Sequence, residues 1–151
     1  MRVVPAILAA VLSLVPLSAA AQRRVTPVGP FVKARAIECA FTTYGVASWN
    51  GPAARVLTGD DDVRFRVENL DLRRGAARVV SASATVEVTA MATETGLNII
   101  EQTPIGNFIL TTIFSAGGSA DRYVAVHSRH LGDLTTPPSA SQYYGTCEVV
   151  N

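Results

Sequence analysis

From residue 37 onward the apolar side chains recur at every second position, and this period constrains the fold more than any other feature. Val63, Phe65 and Val67 alternate with Arg64, Arg66 and Glu68, the pattern of a strand with one face buried and one in water. Ile37, Cys39 and Phe41 stand against Glu38, Ala40 and Thr42, and Val86 and Val88 against Thr85, Glu87 and Thr89. Phe108, Leu110, Thr112 and Phe114 oppose Ile109, Thr111 and Ile113, so both faces of that run can be covered. Val124 and Val126 interleave with Tyr123, Ala125 and His127, and Tyr143, Cys147 and Val149 with Tyr144, Thr146 and Glu148. Ala76–Ser83 and Leu97–Thr103 complete about eight strands.

Between the runs lie Asn50-Gly51-Pro52, Gly59-Asp60-Asp61, Arg74-Gly75, Thr95-Gly96, Gly106-Asn107 and Gly117-Gly118-Ser119. Such residues are those that tight hairpin turns require. The break near Ser81–Ala84 lacks glycine, so Ala76 to Ala92 can also be read as one long bent strand. No stretch carries a capped 3.6-residue period, and there is no internal repeat. The expected class is all-β.

The chain begins Met1-Arg2, continues with an apolar run from Val3 to Leu17 and ends that run at Ser18-Ala19-Ala20-Ala21. This is the layout of a signal peptide cut before Gln22. The run of fifteen residues, with Pro5 and Pro16 in it, is shorter than the ~20 that span a bilayer. Removing 21 of the 151 residues leaves 130, with 12 basic and 12 acidic side chains. The expected organisation is a signal peptide (1–21), an N-terminal linker (22–34, with Pro27, Gly29 and Pro30) and one β domain (35–151), periplasmic or extracellular.

Export gives the two cysteines, Cys39 and Cys147, their meaning: an even count outside the cytosol reads as a disulfide. Cys39 lies in the first run and Cys147 in the last. Most connections are short, which favours an up-and-down meander. Closing such a meander sets first and last strands side by side, so the expected fold is a small antiparallel β-barrel whose terminal strands the disulfide links. A β-sandwich stapled across its core is the alternative. With Cys39 directly opposite Cys147, Glu38 would face Glu148, and like charges in that position destabilise. A two-residue offset, with Thr146 opposite Glu38, removes the conflict and is the expected register.

Charge excludes some partners. Near balance between 13 basic and 12 acidic side chains argues against nucleic acid. A membrane-embedded barrel needs lipid-facing apolar sides and aromatic girdles; here aromatics are 7% of the chain and Arg64, Arg66 and Glu68 occupy one whole strand face. No membrane insertion of the processed chain is expected.

Catalytic signatures are missing. The sequence has no G-x-S-x-G, H-E-x-x-H, C-x-x-C or phosphate-cradling glycine loop, and its one lysine, Lys33, excludes S-x-x-K within the domain. No enzymatic role, metal or cofactor is expected. His127 and His130 are three apart, so on a strand they point to opposite faces, which spoils a two-ligand metal site. Asp60-Asp61-Asp62 reads as a solvated turn, because the alternating calcium-loop pattern is absent. If Val124 and Val126 face inward, then Tyr123, His127 and Arg129 share an outer surface with Tyr144, Thr42 and Tyr44. Tyrosine, histidine and arginine on a flat sheet face form a candidate binding surface. Trp49, beside Asn50-Gly51-Pro52, is placed at a barrel mouth or as a core plug.

In layout the chain is similar to small exported β-barrels: avidin-like binders, lipocalin-type carriers and periplasmic lysozyme inhibitors. It departs from the first in having a single tryptophan, and no residue pattern of the inhibitors carries over. Two functional classes are expected. One is a soluble binding or inhibitor-like module for a small molecule or a protein. The other is a structural or assembly component of the cell envelope, which should display an unpaired, weakly charged sheet edge.

Overall fold

A computed structural model describes residues 29–119, 121–133, 135 and 137–150. Eight strands follow a short 3₁₀ turn at Pro30–Lys33: β1 (Ala36–Asn50), β2 (Ala53–Asp71), β3 (Ala76–Val80), β4 (Thr85–Thr93), β5 (Gly96–Gln102), β6 (Phe108–Phe114), β7 (Arg122–Leu131) and β8 (Ser139–Val150). Each pairs antiparallel with the next, and β8 returns to β1, closing an up-and-down barrel. The segment between β3 and β4 is a turn, closed by Ser81 N–H donating to the carbonyl of Ala84. The export-type start and residues 22–28 lie outside the described residues.

The seam is stapled by the Cys39–Cys147 disulfide, whose two residues stand directly opposite each other. The expected two-residue offset is therefore wrong, and Glu38 does face Glu148. The conflict disappears because each carboxylate has an arginine on its far side. Arg66 of β2 binds Glu38 at 2.5 Å and Arg122 of β7 binds Glu148 at 2.6 Å. Charges alternate along that row in pairs, and a pairwise reading of two strands could not see the flanking partners.

Inside, side chains stack in layers. Ile37, Val67 and Val149 form one; Cys39, Phe65, Cys147 and Tyr123 the next; Phe41, Ala125 and Ile113 another. Phe31, Phe41, Ile37, Leu97, Ile113 and Val67 are withdrawn from water almost completely, each worth about 1.5–3 kcal/mol relative to exposure. One end is plugged by Phe31, in the 3₁₀ turn, whose ring lies 4.8 Å from that of Tyr123. The segment expected to be a linker through residue 34 thus supplies the plug. Trp49 does not: it is 46% exposed, near the tip of the β1–β2 hairpin.

That hairpin is longer than the alternation suggests. β1 and β2 pair as far as Asn50 and Ala53, while β3 pairs with β2 only between Arg66 and Asp71. The register of β1 slips at Thr42 against both neighbours, a bulge that turns the following side chains to the other face. Asp60-Asp61-Asp62, expected in a turn, sits within β2 at this irregularity.

Candidate functional site

The barrel interior is the first place to look for a site, and it is filled. At its upper half β7 turns Ala125 and His127 inward, because Tyr123 pairs with Cys147 and His127 with Tyr143. Val124 and Val126 consequently face out, with Val124 39% exposed. This reverses the expected polarity of β7. The layer at Ala125 is already occupied by Phe41, so a methyl is all that fits there.

His127 lies in an aromatic ring of Phe65, Phe41 and Tyr143, with centroids 5.3, 5.4 and 5.8 Å away. Its Nδ1 is 2.9 Å from Thr111 Oγ1. Burial, with the nearby Arg129 guanidinium adding to it, lowers the imidazole pKa from 6.5 to about 4. A neutral imidazole held by one hydroxyl and three rings is a packed core group. A cavity beside it measures about 20 Å³, between Phe65, Val88, Ile99, Thr111 and His127, room for a single water. His130 points the other way, paired with Phe108 and Ala140. Among the described residues no three His, Cys, Asp or Glu side chains converge as a metal site.

The expected Tyr/His/Arg surface is therefore dispersed. Tyr123 packs on the Phe31 plug, His127 is in the core, and Arg129 lies inward with its guanidinium 5.9 Å from the Tyr143 ring. Tyr44 follows the Thr42 bulge and turns inward, 5.8 Å from Tyr143. It covers Gly59, where an added Cβ would come within 3.1 Å of the tyrosine ring. Of the five residues, Tyr144 alone faces water, 47% exposed, its hydroxyl donating to Gln142 Oε1 at 2.7 Å.

A different outer surface takes its place. Along β5 from Gly96 to Gln102, β6 from Phe108 to Phe114, β7 from Val124 to His130 and β8 from Ala140 to Thr146, every second residue faces out, and none of these sixteen is charged. Phe108, Phe114, Val124 and Tyr144 are the exposed large members. The opposite side of the barrel differs: Glu38, Arg64, Arg66, Glu68, Arg78 and Glu87 line β1–β4, tied by ion pairs such as Arg78–Glu68 at 3.3 Å. A surface depleted of charge and carrying aromatic side chains has the composition of an interface core. The sequence signal was present in the long uncharged stretch from Gln102 to Ala120, but the inverted polarity of β7 hid how it joins β8.

Several open grooves mark the exterior, among them one of about 660 Å³ between Lys33, Arg35, Asp71 and Arg73. Another of about 490 Å³ runs over Ala40 and Thr146 between Arg64, Arg66, Glu38 and Arg122. A third, about 430 Å³, lies beside Tyr144, His130 and Val56. A further hollow holds Trp49 with Leu131 and Pro138. No helix among the described residues is long and apolar enough to cross a membrane. Comparison with protein-family models, curated proteins and solved structures finds nothing that matches this chain.

Proposed function

We propose that this chain is an exported binding module that recognises a protein partner through the uncharged outer face of β5–β8, in the manner of an inhibitor-like domain. The observation that carries the reading is the pairing of an interior packed with aromatic side chains, where a cavity beside His127 measures about 20 Å³, and sixteen outward residues of β5–β8 without an Asp, Glu, Lys or Arg, the Arg122–Glu148 pair standing at their border. Small-ligand sites are concave spaces of ~300 Å³ or more lined by apolar groups; a barrel filled by Phe41, Phe65, His127 and Tyr143 offers none inside. Export is supported by the signal-type start and by a disulfide that an oxidising compartment maintains.

The test uses the protein immobilised and exposed to the exported fraction of its source cells. One stoichiometric protein should be retained, and lost when Val124 and Tyr144 are both replaced by arginine, while Glu87→Ala on the charged side retains it. Equal capture by the arginine variant, or a small molecule co-purifying in stoichiometric amount, contradicts the reading.

A second reading, an assembly component of the envelope, is favoured by one observation. Residues 53–65 of β2 have β1 on one side and, among the described residues, no strand on the other; the edge is unpaired as expected but not weakly charged, since it carries Arg55, Asp60, Asp61, Asp62 and Arg64.

A further inference from the structure

That one-sided stretch of β2 is unusual in a closed barrel. Closure removes sheet edges from this fold, and yet β3 pairs with β2 only from Arg66 onward, so that among the described residues 53–65 of β2 have no second strand beside them. Val56 and Leu57 lie on its two faces, 70% and 63% exposed, the two most exposed of the large apolar side chains on any strand described here. Charge along this stretch is polar in direction. Arg55 stands near the hairpin tip, and Asp60-Asp61-Asp62 lie at the end nearer the barrel.

That order selects both an occupant and its direction. A second copy laid parallel would set aspartates beside aspartates. Laid antiparallel, about a two-fold axis near Leu57 or Thr58, it sets Arg55 of each copy beside the aspartate run of the other, and the attraction is made twice. The same arrangement covers Val56 and Leu57 of both copies and pairs their open backbone groups, joining two barrels through one continuous sheet. The bulge at Asp61 and Asp62 ends the pairing beyond Asp60, so the assembly closes as a dimer rather than growing.

We propose that residues 55–60 of β2 form the two-fold edge of a homodimer; this rests on the assembly reading above and names its partner as a second copy of the chain. Three variants test it by sedimentation equilibrium across roughly three decades of concentration. The wild-type protein should form a dimer that dissociates on dilution. Arg55→Glu should weaken it roughly tenfold, two cross-strand pairs being reversed at once. Asp60→Lys with Asp61→Lys should do the same, and combining all three substitutions should bring the dimer back to within about threefold of wild type. All these positions are exposed, and far-UV circular dichroism checks that each variant folds. A monomer at every concentration, a dimer indifferent to Arg55→Glu, or a triple variant no better than its parents overturns the proposal. So does a chain that dimerises only when residues before Gly29 are removed, since those residues would then be what occupies the edge.

Photo-crosslinking in source cells, with a benzophenone side chain replacing Val56, separates this from the broader reading. A crosslink to a second copy supports both. A crosslink to a different protein overturns the second copy and leaves assembly standing, and no crosslink at all removes both.

Discussion

Glu38 and Glu148 face each other across the seam where the barrel closes, one residue from the disulfide, and each is held by an arginine from the strand beyond. The unit is a row of four charges in which the repulsion at the centre is outweighed by attraction at both ends. All four side chains are partly exposed, so each pair is worth at most about 1 kcal/mol. Arg122→Met should destabilise by about 0.5–1 kcal/mol, and Arg122→Met with Glu148→Gln by less than Arg122→Met alone, because the double change also removes the like-charge contact. Chemical denaturation of both variants checks this; equal losses would show that the row is not coupled.

Removing the staple has a larger effect. Cys39 and Cys147 close a loop of 108 residues, for which chain entropy gives up to ~4.7 kcal/mol. Replacing both by alanine should lower stability by about 2–4 kcal/mol, measured by urea unfolding. Unreduced protein should show no thiol reactive to a titrant even when unfolded.

His127 makes stability depend on pH in a stated window. Its folded pKa, about 4, lies below the unfolded value of 6.5, so the unfolded chain binds the proton more readily. This group leaves stability untouched well above 6.5 and subtracts from it progressively as pH falls to 4, by about 3 kcal/mol. His127→Leu should flatten that segment of the profile. It also strands the Thr111 hydroxyl, an offset of about 1–3 kcal/mol at every pH, so the slope between pH 6.5 and 4 is the quantity to compare.

Gly145 tests the closeness of the seam. A Cβ there would lie 2.0 Å from the Ala40 carbonyl oxygen and 2.6 Å from the Phe41 Cα, both backbone atoms that cannot step aside. Gly145→Ala should cost more than about 3 kcal/mol or prevent folding, whereas Gly106→Ala, with nothing within 4 Å of the added atom but a positive φ of 90°, should cost about 1 kcal/mol. Similar losses in the two variants would mean that the seam is looser than described.

Much of this fold is legible in the sequence, because alternation reports which residues share a face. Val63, Phe65 and Val67 fill one side of β2 as expected, and the two cysteines, one in the first run and one in the last, locate the seam. Alternation does not report a bulge. One extra residue at Thr42 sends Tyr44 inward, and the glycines and aspartates from Gly45 to Asp62 interrupt the pattern just where β1 and β2 grow longest. Nor does it weigh volume. Val124 and Val126 are more apolar than Ala125 and His127, yet the latter pair faces in: Ala125 is small enough for the level that Phe41 fills, and His127 is held by Thr111 and three aromatic rings. The candidate binding surface was misplaced for these two reasons, the bulge that turns Tyr44 and the polarity of β7, with only Tyr144 left outside. Phe31 as the plug was hidden by its position in a proline- and glycine-bearing stretch with no period to betray it.

The account stands on the strand pair β1–β8 being as fully bonded as any other, so that the ring is closed and its interior unavailable. Native-state hydrogen exchange resolved by residue measures this directly. Bonded amides of Ile37–Phe41 and Gly145–Val149 should exchange as slowly as those of the β6–β7 pair, on the scale of global unfolding. Exchange there at the rate of a free sheet edge, with β6–β7 still protected, would mean that the barrel is open at its seam.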